Sequence, residues 1–234
     1  TAQRLLDVSS MLKVNVSQFY GIEYEEFPCQ IAQVGMWLMD HQMNLLVADQ
    51  FGTYYVRLPL KQSATIVHDN ALRIDWNKVV LTEELSYIFG NPPFVGARIM
   101  STEQKADLRH VFGSVKNAGN LDYVCCWYKK AVDIMQKNKN ITTAFVSTNS
   151  ISQGEQVAIL WKPFFEKGVF INFAYRTFKW NNEAKGKAAV HCVIIGFGMI
   201  EKRNKFIVDG DICSHVENIN GYLVGAQNIC IESR

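Results

Sequence analysis

Apolar residues recur along the chain in two alternating rhythms. Short runs rich in apolar and β-branched residues read as strands: QFYGIE at 18–23, ATIVHDNAL at 64–72, LSYIFGN at 85–91, ITTAFVSTNS at 141–150, VFINFAYRTF at 169–178 and AAVHCVIIGFG at 188–198. Between them, apolar positions spaced three and four apart predict helices over 25–44, 102–112, 121–137 and 154–166. In the first of these helices, Phe27, Ile31, Val34 and Leu38 form an apolar stripe. KFIVDGD at 205–211 reads as a small hairpin. Strands alternating with helices specify βα units, and so an α/β fold with a mostly parallel, doubly wound sheet.

Composition adds only bounds. The 234 residues, 48% hydrophobic and 20% charged, suit a globular protein of one large domain or two small ones. A formal charge of +2 is too mild to announce nucleic acid and does not repel it. No apolar run reaches the length of a membrane span, and the start, TAQRLLDVSS, has neither an initiator Met nor a signal-peptide pattern. The expectation is a piece of a protein of the bacterial cytoplasm, without a membrane partner. Six cysteines, at 29, 125, 126, 192, 213 and 230, offer no C-x-x-C pair or zinc spacing, so they read as reduced thiols and no metal is expected.

Ligands of open parallel sheets bind at the carboxyl ends of the strands, so the residues there come first. The first strand ends at Glu23, whose carboxylate can accept the ribose hydroxyls of a nucleoside or simply favour the dipole of the following helix. The second ends at His68-Asp69-Asn70, where Asp69 can accept from a purine's exocyclic amine or close an Asx turn. The third runs into GNPPF at 90–94. Consecutive prolines give no N–H to a ladder and fix their own φ, so the strand must stop. Asn91 precedes a proline and is held extended, which frees its side-chain amide and the Pro92 carbonyl to face a ligand.

GNPPF after a strand resembles the catalytic tetrapeptide of amino-methylating DNA methyltransferases, those that modify N6 of adenine. YGIE at 20–23 is similar to that family's ribose-binding acidic motif, which assigns Ile22 and Glu23 to the cofactor. HDNAL at 68–72 resembles its adenine-binding motif, which assigns Asp69, Asn70 and Ala71. NLDYVCCWYKKAVDIM and TAFVSTNSI resemble the helix and strand after the tetrapeptide, and the match runs through FKWNNEAKGKAAVHCVIIGF at 178–197. That last stretch, with IAQVGMWLMDHQMN at 31–44, most resembles the MmeI-like restriction-modification enzymes, large single chains carrying nuclease, methyltransferase and target-recognition parts. The resemblance implies a Rossmann-like methyltransferase fold with an antiparallel strand in its sheet. It also implies S-adenosylmethionine as cofactor and double-stranded DNA as partner.

The tetrapeptide suits the chemistry on its own terms. An exocyclic amine conjugated to a purine is a poor nucleophile because its lone pair is delocalised. Asn91 and Pro92 can each accept one of its N–H groups, drawing it toward tetrahedral geometry and aiming the lone pair at a methyl donor. Pro93 stiffens the backbone and Phe94 can stack on the base. A base inside a duplex must first be flipped out. Phe178 and Trp180 are both candidates for a second wall, while Lys179, Lys185, Lys187 and Arg98 can meet phosphates.

One feature departs from the family. Its cofactor loop is rich in glycine and precedes the acidic motif, yet the first 19 residues here contain no glycine. The expectation is a chain that begins after that loop, lacking the first strand, binding the cofactor weakly and inactive in isolation. Residues 1–200 are then a partial catalytic domain, and 201–234 an extension toward a target-recognition part. Two other classes remain open: a methyltransferase acting on protein glutamine or on ribosomal RNA amines, and a DNA-binding module without catalysis.

Overall fold

The computed structural model describes residues 13–51, 63–180 and 190–229. The chain divides into two compact units, 1–81 and 82–234.

In the first unit, strand β1 (Tyr20–Glu23) leads into helix α1 (Glu26–Phe51), and strand β2 (Thr65–His68) pairs with β1 in parallel, Glu23 opposite His68. Pro28 is tolerated because the N–H groups of a first helical turn have no intrahelical partner. The helix is fastened to β2 by Cys29 and Gln33, whose Sγ and Nε2 lie 3.6 and 3.3 Å from the Ile66 carbonyl oxygen. The predicted stripe takes a different place from the one an amphipathic helix implies. Phe27, Ile31, Val34 and Leu38 are 71, 55, 55 and 45% exposed, whereas Cys29 and Asn44 are buried. Apolar residues surround most of α1, so their spacing identifies the helix without selecting the face that packs.

The second unit holds a six-stranded sheet in the order β3-β4-β6-β5-β7-β8. Its strands are β3 (Tyr87–Gly90), β4 (Thr142–Thr148), β5 (Phe170–Trp180), β6 (Val190–Gly198), β7 (Lys205–Asp209) and β8 (Ile212–Val216). β3 and β4 are parallel, β6 runs antiparallel to both β4 and β5, β5 and β7 are parallel, and β8 returns antiparallel to β7. Four strands therefore share one direction and two oppose it, β6 as the predicted antiparallel strand and β8 as the return of the predicted hairpin. Gly210, at φ +60°, supplies the left-handed residue that this tight turn needs.

Helices α2 (Thr102–Phe112), α3 (Cys125–Met135) and α4 (Gly154–Glu166) complete the unit. Ser101 caps α2 in a capping box with Gln104. The core gathers four rings from four elements: Tyr128 of α3, Phe145 of β4, Trp161 of α4 and Phe197 of β6. Tyr128 stacks on Phe197 at 5.1 Å, and Trp161 meets Phe197 edge-on at 6.0 Å. Both polar tips are satisfied: Tyr128 Oη lies 2.6 Å from Ser147 Oγ, and Trp161 Nε1 donates to the Ile151 carbonyl at 3.1 Å.

Candidate active site

The ladder between β3 and β4 ends at the pair Gly90 and Phe145, immediately before Asn91. The approach to β3 is fixed from below. Asn138 Nδ2 donates to the carbonyls of Thr82 and Leu85 at 2.8 and 3.2 Å, and the Thr142 N–H donates to Ser86 at 3.0 Å. Beyond the strand end Asn91 is exposed, Pro92 buried, Pro93 exposed and Phe94 half-buried. Pro92 thus anchors the tetrapeptide, while the Asn91 side-chain amide has no hydrogen-bond partner among the described residues.

The loop after the tetrapeptide is tied down by residues that sequence reasoning passed over. The Tyr123 N–H donates to the Val95 carbonyl at 2.9 Å, and the Ala97 N–H donates to Asp122 Oδ1 at 3.2 Å. Asp122 is buried, and Oδ1 also accepts from Gln156 Nε2 at 3.2 Å. Its other oxygen accepts from Thr148 Oγ1 at 3.0 Å and from Ser150 Oγ. Gln156 closes the exchange by accepting the Asp122 N–H at 3.2 Å. The available signal was an acid inside an apolar stretch, NLDYVCC, assigned to a helix that in fact begins three residues later, at Cys125. Beside this network lies an open cleft of about 680 Å³ lined by Arg98, Asn120, Ser150, Gln153 and Glu155 among others.

In the first unit the β1–β2 pairing brings the predicted cofactor residues together. The Asp69 N–H donates to the Glu23 carbonyl at 2.9 Å, so the two acidic residues stand at neighbouring strand ends. Glu23 Oε1 accepts from the amides of Tyr24 and Glu25 at 2.9 and 3.2 Å, which orients the carboxylate. Its Oε2 has no partner among the described residues and can take a ribose hydroxyl. Asp69 Oδ1 accepts from the Asn70 N–H at 2.6 Å, and Asn70 Oδ1 from the Leu72 N–H at 2.9 Å, forming a tight Asx-type turn. Ile22 and Ala71 are half-buried, and the Ala71 carbonyl accepts from Trp76 Nε1 at 2.7 Å. The acceptor set suits the hydroxyls and amine of a nucleoside: Glu23 presents an oriented carboxylate and Asp69 an exposed one. Among the described residues no cluster of His, Cys, Asp and Glu could hold a metal ion.

The remaining predicted contacts are spread out. Arg98 is exposed in the turn after the tetrapeptide loop. Phe178 is half-buried and Lys179 exposed on β5, and β4 and β6 lie between that strand and β3. The side chain of Trp180, together with Lys185 and Lys187, lies outside the described residues. Among the described residues no helix is long and apolar enough to cross a membrane.

Comparison with known proteins gives a consistent picture. The family model described as "MmeI, DNA-methyltransferase domain" matches residues 1–209. DNA methyltransferase A of Bacillus subtilis (strain 168) is 42% identical over 225 residues, 94% of this chain and 26% of that protein. The structure of the type IIL restriction-modification enzyme MmeI in complex with DNA is 50% identical, with a TM-score of 0.92 over 99% of this chain and 32% of that one. The type IIG restriction endonuclease BpuSI, at 10% identity and a TM-score of 0.56 over 86% of this chain, shares the fold. The chain therefore spans between a quarter and a third of the length of the first two relatives.

Proposed function

Because the chain belongs to the MmeI DNA-methyltransferase domain family, we propose that it forms the adenine-N6 methyl-transferring part of a restriction-modification protein, with S-adenosylmethionine as cofactor. The exposed and unpartnered Asn91 amide, projecting at a strand end beside a buried proline, carries this reading.

The cofactor, when bound, supplies an electrophilic methyl group on a sulfonium. Glu23 holds its ribose and Asp69 the amine of its adenine, with Ile22, Asn70 and Ala71 shaping the walls. Asn91 Oδ1 and the Pro92 carbonyl accept the two N–H groups of the target adenine, and their fixed positions draw that amine toward a tetrahedral shape. Pro93 keeps the backbone from following the substrate. Phe94 stacks on the flipped base, with Phe178 or Trp180 on its other side. Lys179, Lys185, Lys187 and Arg98 meet phosphates of double-stranded DNA. No strong base is required, because the methylated ammonium is acidic and passes its proton to water. Residues 1–200 form the catalytic part and 201–234 lead toward target recognition, with the nuclease on the same longer chain.

The test is Asn91→Ala in the full-length protein, using tritiated S-adenosylmethionine and plasmid DNA that lacks adenine methylation. Removing one preorganised acceptor lowers kcat by about 10²–10³, with Tm nearly unchanged because the side chain is exposed. Near-normal methyl transfer by this variant overturns the assignment. Nucleoside digestion of the product must yield N6-methyladenine, whereas label in protein glutamine or ribosomal RNA would move the chain to a different substrate class.

A further inference from the structure

We infer that Asp122 is the positioning residue of the catalytic loop: with the Tyr123 N–H it fixes residues 95–97, and through them the two acceptors on Asn91 and Pro92. This inference rests on the methyl-transfer reading above. Its starting point is a deficit in the tetrapeptide itself. Pro92 and Pro93 have no N–H, so the sheet ladder cannot extend along the loop to hold it. The loop is instead fastened just beyond Phe94, by Tyr123 N–H to the Val95 carbonyl at 2.9 Å and Ala97 N–H to Asp122 Oδ1 at 3.2 Å. Both fasteners come from two consecutive residues ahead of α3.

Asp122 is built for this task. It is 6% exposed, and among the described residues no Lys, Arg or His pairs with it. A carboxylate so placed is costly unless its lone pairs are filled. They are filled by Ala97 N–H, Gln156 Nε2, Thr148 Oγ1 and Ser150 Oγ, one donor from each of four segments. Those segments are the catalytic loop, the first turn of α4, the end of β4 and the turn after it. One side chain thus locks the loop to the strand and helix beside it, and charge strengthens each hydrogen bond. All four donors come from within the fold, so the role the geometry assigns to Asp122 is positional. Geometry is what the reaction demands, since a misplacement of about 1 Å can cost 10²-fold in rate.

Three variants of the full-length protein test the inference, with Asn91→Ala as reference. Ala97 is the second residue of the turn closed by the Ile99 N–H to the Gly96 carbonyl at 3.0 Å, a position that favours proline. Ala97→Pro therefore deletes one N–H, leaves the turn intact and spares the other three donors to Asp122. Ala97→Pro and Asp122→Ala should each lower kcat by about 10- to 100-fold, while KM for cofactor and for DNA stays within about three-fold. Asp122→Asn should recover most of the loss suffered by Asp122→Ala. Its amide oxygen can face the Ala97 N–H while its NH₂ donates to the Thr148 and Ser150 hydroxyl oxygens. If Asp122→Ala fails to fold, Ala97→Pro decides alone. A folded Ala97→Pro enzyme with undiminished kcat overturns the positioning role, as does an Asp122→Asn enzyme no better than Asp122→Ala. Inactivity of Asn91→Ala alongside full activity of Ala97→Pro would remove only this inference, whereas full activity of Asn91→Ala would remove the methyl-transfer reading and this inference with it.

Discussion

The Phe94 ring is half-buried, neither lost in the core nor loose in solvent. That state suits a side chain that must stay in place and still present a face to a planar ligand. Stacking a base on such a ring contributes about 1–3 kcal/mol. Phe94→Ala should therefore raise KM for DNA by about ten- to a hundred-fold, while Phe94→Tyr, which keeps the ring, stays near the parent value. Steady-state methylation kinetics decide the matter: equal losses in both variants would mean that the ring serves packing and not the substrate. Asn91 and Pro92 divide their labour in the same manner. The proline is buried and anchors the backbone, and the amide beside it is left exposed.

Among the elements, β5 and β6 interlock at one point that tolerates no addition. Gly196 pairs with both Ala144 and Phe173, and a Cβ on it would lie 2.0 Å from Phe173 Cε1. Phe173 is itself stacked on Phe206 of β7 at 5.5 Å, so the ring cannot move without disturbing a third strand. Gly196→Ala should cost about 1–3 kcal/mol, read as a lower urea midpoint at unchanged m, and a second change, Phe173→Leu, should restore part of it. A midpoint equal to that of the parent would mean the ring has room to swing away. Spacing alone identified nearly every helix and strand, because burial imposes periods that a sequence displays directly. The packing face of α1 was illegible, since apolar side chains occupy most of its circumference. So was the start of α3, where Asp122 and Tyr123 are spent on holding the loop. Proline makes the tetrapeptide legible in one dimension. Asp122 stays invisible there because its partners Ala97, Thr148, Ser150 and Gln156 meet only in the folded chain.

For the whole molecule, pH reports on the buried thiols. Burial raises the Cys125 and Cys126 thiols above the usual value of 9.0, with the nearby carboxylates of Asp122 and Asp107 respectively adding to the rise. The folded chain keeps these protons at a pH where the unfolded chain has released them. The stability they contribute is fully present below about pH 9 and lost as pH climbs beyond it, by about 1.4 kcal/mol per thiol per pH unit. Urea midpoints should hold level between about pH 7 and 8 and fall above 9. A variant with both Cys125 and Cys126 replaced by alanine should fall less steeply, whereas identical slopes would show that the thiols play no part in the alkaline loss.

The loop that follows the tetrapeptide carries its own fittings. The hydrogen-bond partners of Val95, Gly96 and Ala97 described here, and those of Asp122 in turn, all lie between residues 96 and 156. In heredity such a stretch travels as a cassette: a recombination event before Thr82 or after Glu166 passes it on with its fasteners intact. Lineages that exchange the sequence on either side inherit that loop geometry ready-made and need not evolve it again.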